Sequence, residues 1–295
     1  MKIKTIVTSV AISTSVIFSS CTKGDGPIDV PGGSKVAYVK TTPVSFAGGS
    51  SLDLEGENEI KDMQACLFQG GIMTQVYEDL TSTDAGYGLQ VDRLEGRLYM
   101  LANLSEKIDL NTMLISSTSE EDFFKTAIDM GSDGKTVNFF TGVVELSGPD
   151  TYSYTAGMER GVARFDLAVT SGSQPVKVKK IEVTNVAQKG YLRTPSEGVS
   201  TPEAAGSSSV TVEFDEPVTE ASKGFLYLYE QKNSGMQVIV TVEAAGQEKT
   251  LTKSISGDIS RNTVYAIKVN KSNIDLYINA NIEEWESGAD TEIEA

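Results

Sequence analysis

The residue best placed for covalent chemistry in this sequence is Cys21. Lys2 and Lys4 open a basic stretch, Ile6 to Phe18 is apolar with Ser and Thr interspersed, and the small residues Ser19 and Ser20 lead directly into the cysteine. The apolar run is shorter than the roughly 20 residues a spanning helix needs, so it has the form of a signal peptide over residues 1–20. A cysteine directly behind small residues fits a lipoprotein signal. Its thiol would be diacylated, it would become residue one after cleavage, and its freed amine would be acylated in turn. Phe18 stands where Leu is more usual. The competing reading is plain secretion with Cys21 an ordinary thiol. Each buried CH₂ contributes about 0.8 kcal/mol to membrane binding, so several chains hold far more firmly than one.

Little other chemistry is encoded. The sequence has no His, which removes the commonest general base and the commonest metal ligand. Zinc and redox sites need Cys or His clusters, a phosphate-cradling Gly-rich loop is missing, and no Gly-x-Ser-x-Gly elbow occurs. We therefore expect no catalytic residues, no metal, no cofactor and no enzymatic activity. Cys66 lies in QACLFQG, a strand-like run in which a free thiol acts as a small hydrophobe; a reactive role needs a base or cation beside it. With 41 acidic residues, adjacencies such as Glu120–Glu121 and Glu283–Glu284 read as solvated surface, though paired carboxylates are also the tools of glycoside chemistry. DMGSDG at 129–134 reads as a turn, with weak calcium binding as the sharper alternative. Tyr227 and Tyr229, two apart, would share a face for packing or, less simply, for stacking on sugar. The net charge of −16 repels phosphate backbones, so nucleic acid is not an expected partner.

The elements that must carry these residues are strands. With 295 residues, 39% of them hydrophobic, the chain can build two cores. Residues 21–35, rich in Gly and Pro, read as a flexible tether. Short strand patterns follow at 36–39, 44–46, 64–68 and 97–101, with a loop over 48–58, a short helix over 120–128, and a strand pair or bent strand at 137–146. SGPDTYS around Pro149 is the best boundary. Beyond it come strands at 161–169, 176–186, 210–214, 225–230, 237–244 and 264–269, rich in Val, Ile and Tyr. Strands in series without crossover helices predict an all-β protein with two antiparallel β-sandwiches, over 36–150 and 151–287, before an acidic tail at 288–295.

The closing segment IDLYINANIEEW places Ile274, Leu276, Ile278, Ala280 and Ile282 on one face. A final strand closing its own domain explains this pattern. So does a strand donated to a neighbouring subunit by β-addition, its five apolar side chains filling a groove.

Taken in order, the lipidation signal at Cys21, RLYMLANL at 97–104, MERGVARFDLAV at 158–169, FLYLYEQ at 225–231, ISRNTVYAIKV at 259–269 and INANIEEW at 278–285 resemble the Bacteroidales-type (type V) fimbrillins with their anchor and tip relatives. The resemblance implies transthyretin-like sandwich domains and a surface fimbrium serving cell adhesion, with other fimbrial subunits as partners. It also implies attachment to outer-membrane lipid through acylated Cys21; Thr22, where inner-membrane lipoproteins carry Asp, agrees. In such proteins a trypsin-like protease removes an N-terminal segment and opens a groove for another subunit's strand. Here Lys35 or Lys40 would be the cut site and residues 274–282 the donor. An Arg is the familiar cut residue in that family, and this sequence has none before Arg93. Without a cut, the protein would sit at the base as an anchor or at a tip, its first strand retained. The rival function is a surface glycan-binding lipoprotein of a nutrient-uptake system, which requires a solvent-facing aromatic cluster.

Overall fold

The computed structural model describes residues 35–47, 53–148, 152–171, 175–270 and 273–278. Cys21, Ala280, Ile282, the signal peptide, most of the tether and the acidic tail lie outside these. The chain is all-β. The first half contributes β1 (Lys35–Pro43), β2 (Met63–Gln69), β3 (Ile72–Tyr77), β4 (Ser82–Thr83), β5 (Gly86–Val91), β6 (Glu95–Ala102), β7 (Ala127–Asp129), β8 (Phe140–Ser147) and β9 (Ser153–Arg160). The second contributes β10 (Val162–Val169), β11 (Val176–Ala187), β12 (Lys189–Tyr191), β13 (Ser207–Val218), β14 (Ala221–Tyr229), β15 (Gln237–Ala244), β16 (Gln247–Ser254), β17 (Val264–Val269) and β18 (Ile274–Ile278).

In the first sandwich the strand order is β3-β2-β6-β8-β9-β1-β5-β4. The sheet turns a corner where β8 meets β9 through only two residue pairs, Phe140 with Arg160 and Thr141 with Glu159. Its two halves enclose one core: Ala37, Val39 and Leu89 come from one side, Leu67, Leu98 and Met100 from the other. In the second sandwich β14-β10-β17-β18 packs on β13-β11-β15-β16, with Phe165, Leu167, Ile181, Val240 and Ile267 between them. Inward alternation is clearest in β15, where Val238, Val240, Val242 and Ala244 are buried and their neighbours are not.

Three expectations need correction. The boundary does not fall between 150 and 151, because β9 pairs with β1 and β8 and so belongs to the first sandwich. The chain changes sandwich at Gly161. The sheets are not wholly antiparallel: β1–β9 and β10–β17 are parallel. Parallel neighbours need a long intervening connection, and each pair is separated by most of a sandwich. The helix over 120–128 shortens to α1 (Glu120–Phe124), with Ser119 accepting from the Asp122 amide as its N-cap. The chain then extends as β7 because β12 offers it a partner, aligning Ile128 with Gly190.

That small β7–β12 sheet joins the two halves of the molecule. The outer face of β2 and β6 presents Cys66, Phe68, Tyr99 and Leu101, and it is covered by Phe123 of α1, Ile128 and Leu192. β2 is therefore buried on both faces, which accounts for its unbroken apolar run. Burial pushes the Cys66 thiol well above its ordinary range, so it acts as a packing group.

Gly161 is required by a close approach. A Cβ there would lie 1.9 Å from Cζ of Phe139, whose carbonyl also accepts the Gly161 amide at 2.9 Å. Gly161→Ala must displace a buried ring, so we expect a loss of about 1–3 kcal/mol in urea unfolding. A loss of less than about 0.5 kcal/mol would mean that Phe139 yields freely and the junction is loosely packed.

Candidate assembly site

β1 is the first described strand and lies in the interior of its sheet. Val36 to Val39 are β-formers, with Ala37 and Val39 buried in the core. Residues 35–39 pair antiparallel with β5, and residues 38–43 pair parallel with β9. A Cβ at Gly86 would stand 2.4 Å from the Val39 carbonyl oxygen, so that seat tolerates no side chain. Without β1, the edges of β5 and β9 would face each other across a gap lined by Leu89, Val91, Ala156 and Met158.

Past Pro43 the chain leaves the sandwich and runs into the junction with the second one, where two arginines lie fully buried. Arg160, ending β9, donates from Nη1 to the Val44 carbonyl at 2.7 Å and to Asn262 Oδ1 at 3.3 Å. Its Nη2 donates to Asp53 at 3.1 Å and to Asn58 Oδ1. Arg164, on β10, grips Asp166 with two parallel bonds of 3.0 and 3.1 Å and reaches Glu57 at 3.0 Å. Phe46 packs against both guanidiniums, its ring centroid 4.2 Å from Arg160 Cζ and 5.1 Å from Arg164 Cζ. Glu57 also accepts from the Tyr227 hydroxyl at 2.7 Å and from the Leu54 amide at 2.6 Å. Asp166 accepts from the Gly224 amide at 2.7 Å. The residues forming the loop that follows β1 thus supply carboxylates to arginines on β9 and β10.

Burial pulls the Arg160 guanidinium below its ordinary range, and the nearby Asp53 and Glu57 oppose that pull. Burial, then the bond to Glu57, raises the Tyr227 hydroxyl. A second set of contacts completes the junction. Arg261 donates to the Leu192 and Tyr191 carbonyls at 2.7 and 2.8 Å and pairs with Glu230. Arg193 reaches Thr141 Oγ1 at 3.2 Å across the sandwiches and lies against Tyr99 and Phe124. At the surface, Ser196 and Lys125 hold the Glu121 carboxyl down at about 2. That exposed contact favours folding above the ordinary carboxylate pKa and is lost as pH falls from there toward 2.

The expected site residues fall as follows. Lys35 and Lys40 both lie on β1 itself, at the residues paired with Val91 and Thr155. A cut at either one leaves Val44–Ala47 attached. Residues Ile274, Leu276 and Ile278 pair with Val269, Ile267 and Tyr265, so β18 is an edge strand of its own sandwich, far in the topology from β1. Phe46, Glu57, Arg160 and Asn262 were not singled out from the sequence. Arg164 and Asp166 lie in the strand expected at 161–169, where charged residues inside so apolar a run were an available signal. Tyr229 is buried, and its hydroxyl donates to the Asp129 carbonyl and accepts the Val137 amide. Among the described residues no Phe or Tyr is solvent-exposed, so the aromatic platform a glycan binder needs is not found there.

A polar cavity of about 690 Å³ lies by Glu59, Lys61, Asp62, Asn103 and Glu106. Asp62 there is committed to the Leu104 and Ser105 amides, at 3.0 and 3.2 Å, and Glu59 pairs with Lys61. No cluster of metal-ligating side chains occurs among the described residues, and none of their helices is long and apolar enough to cross a membrane.

Arg164→Met leaves two buried carboxylates without their cation, so we expect a loss of about 3–5 kcal/mol in urea unfolding. Lys125→Ala, which breaks only surface pairs with Glu121 and Glu197, should leave the urea midpoint almost unchanged. Equal losses would show that the junction is wetter than its burial implies.

No curated protein matches the chain. Among solved structures it is similar to a fimbrial assembly protein from Parabacteroides distasonis, at 15% identity and TM-score 0.54, covering 82% of this chain and 94% of that one. A second protein from Parabacteroides distasonis, proposed to act in cell adhesion, is 17% identical with TM-score 0.54 over 81% of this chain and 89% of that one. The tip fimbrial protein Mfa3 from Porphyromonas gingivalis, solved with a C-terminal truncation, is 12% identical with TM-score 0.51, over 83% and 99%. At such identities these likenesses establish the fold. The family model for the fimbrillin-A associated anchor proteins Mfa1 and Mfa2 matches residues 38–287, from within β1 to beyond β18. The chain belongs to the fimbrillin-A associated anchor protein family.

Proposed function

We propose that this fimbrial structural subunit is a terminal one, which donates a strand to a neighbour and accepts none. It would stand at the outer membrane, held there by the acyl chains on Cys21, and serve cell adhesion through the fimbrium it roots. The observation that carries this reading is the position of β1. It fills the gap between β5 and β9 and is paired on both edges, so no strand of another subunit can enter while it stays. Neither Lys35 nor Lys40 lies beyond the residues that hold it. The segment 274–282 is the candidate donor, because β18 is the last strand of its sheet and its departure breaks only one ladder. Alternate apolar side chains entering a sandwich contribute about 25 cal/mol per Å² buried, several kcal/mol before ordering costs.

The test is an unboiled gel of outer-membrane material from the native host, probed for this protein. We expect a full-length, palmitate-labelled band, with Cys21→Ser abolishing the label and shedding fimbriae into the medium. A ladder of heat-sensitive multimers, each subunit shortened at Lys35 or Lys40, would instead make it a polymerising stalk protein. Separately, Ile278→Asp should block joining to the neighbouring subunit and leave export unchanged. Normal joining in that variant would exclude 274–282 as the donor.

A further inference from the structure

The β1 ladder alone does not explain why this strand should stay in place, since Ala37 and Val39 are its only fully buried side chains. The four residues after Pro43 make the difference. The Val44 amide donates to the Met158 carbonyl at 2.8 Å, and the Val44 carbonyl accepts from Arg160 at 2.7 Å. The Ser45 carbonyl accepts from Asn262 Nδ2 at 3.0 Å. Phe46, 3% exposed, packs against both guanidiniums. The Ala47 amide donates to the Asn262 carbonyl at 2.7 Å, and its carbonyl accepts the Val264 amide at 3.2 Å. Asn262 and Val264 belong to the second sandwich, so that sandwich grips the continuation of a strand seated in the first.

We infer that residues 44–47 are a latch: by docking on Arg160, Arg164 and Asn262 they hold β1 in its own sheet and keep the β5–β9 gap closed to a strand from another subunit. This rests on the reading that fimbrial subunits join by strand addition into that gap. The latch makes strand retention a property of the domain junction. Leaving the gap requires Phe46 to withdraw from two buried cations, and Arg160 then loses the Val44 carbonyl together with the ring. Local opening of β1 is thereby tied to loosening of the junction.

The test uses the full-length protein in detergent, as wild type, Phe46→Ala and Asn262→Gly. The glycine variant keeps the positive φ of 47° at that position and removes the amide that holds Ser45, giving a second route should Phe46→Ala fold poorly. Native-state hydrogen exchange is read at the β1 amides, with the β15 amides as internal reference, and a fluorescent peptide of residues 35–43 is offered to each protein. We expect the variants to exchange β1 amides at least about tenfold faster than wild type with β15 unchanged, on the scale of a lost cation–π contact. They should also take up the peptide that wild type excludes. Unchanged β1 exchange, or β1 and β15 accelerating together, would overturn the latch. Selective opening of β1 with the peptide still excluded would leave the latch standing and count against strand addition into this gap.

Discussion

Two fully buried guanidiniums demand acceptors for their N–H groups, and in this protein that demand organises the junction of the sandwiches. Arg160 and Arg164 lie four residues apart on consecutive strands, one in each sandwich, and between them they draw in Asp53, Glu57, Asn58, Asp166, Asn262 and the Val44 carbonyl. A buried ion cluster of this kind is weak evidence for stability, because well-packed apolar groups would do as well. What it supplies is direction: each guanidinium accepts partners only at fixed angles, so the two sandwiches meet in one arrangement. The Gly161 close approach, the β7–β12 pair and the Arg193 and Arg261 contacts all act within that arrangement.

The same cluster gives the first strand its character. Most N-terminal segments fray unless something ties them down. Here β1 is tied on two edges by hydrogen-bonded ladders and at its end by the Phe46 ring and the Val44 carbonyl. A strand so placed is an interior element whose removal would expose two sheet edges and unbalance a charge cluster at once. That combination suits a subunit at the end of an assembly, where an open edge would invite pairing with the wrong chain.

Much of the second sandwich was legible because its strands alternate. In β15 buried Val recurs at every second position, and in β11 Val and Ile do so between two irregularities; period two is the pattern a half-buried strand must show. β16 was invisible for the converse reason: QEKTLTKS is exposed at almost every position, and it is a strand only because β15 lends it a ladder. β9 was missed because residues around Pro149 read as a linker, whereas the strand after it returns to pair with β1. The helix prediction ran long because Ala127–Asp129 is helix-compatible locally and is extended only by its partner Lys189–Tyr191.

The sequence by itself determined the all-β class, two cores, the absence of histidine and the family resemblance. Each of these depends on composition, on spacing along the chain or on a short contiguous motif, and such information survives without coordinates. Only the tertiary structure decided that Arg164 and Asp166 are buried at the junction rather than facing water, that β1 runs parallel to a strand more than a hundred residues later, and that Phe46 packs against two cations. Which strands pair, and which charges meet, depends on long-range contacts whose partners lie far apart in sequence. The period-two pattern is the same whether the polar face of a strand meets solvent or a neighbouring domain.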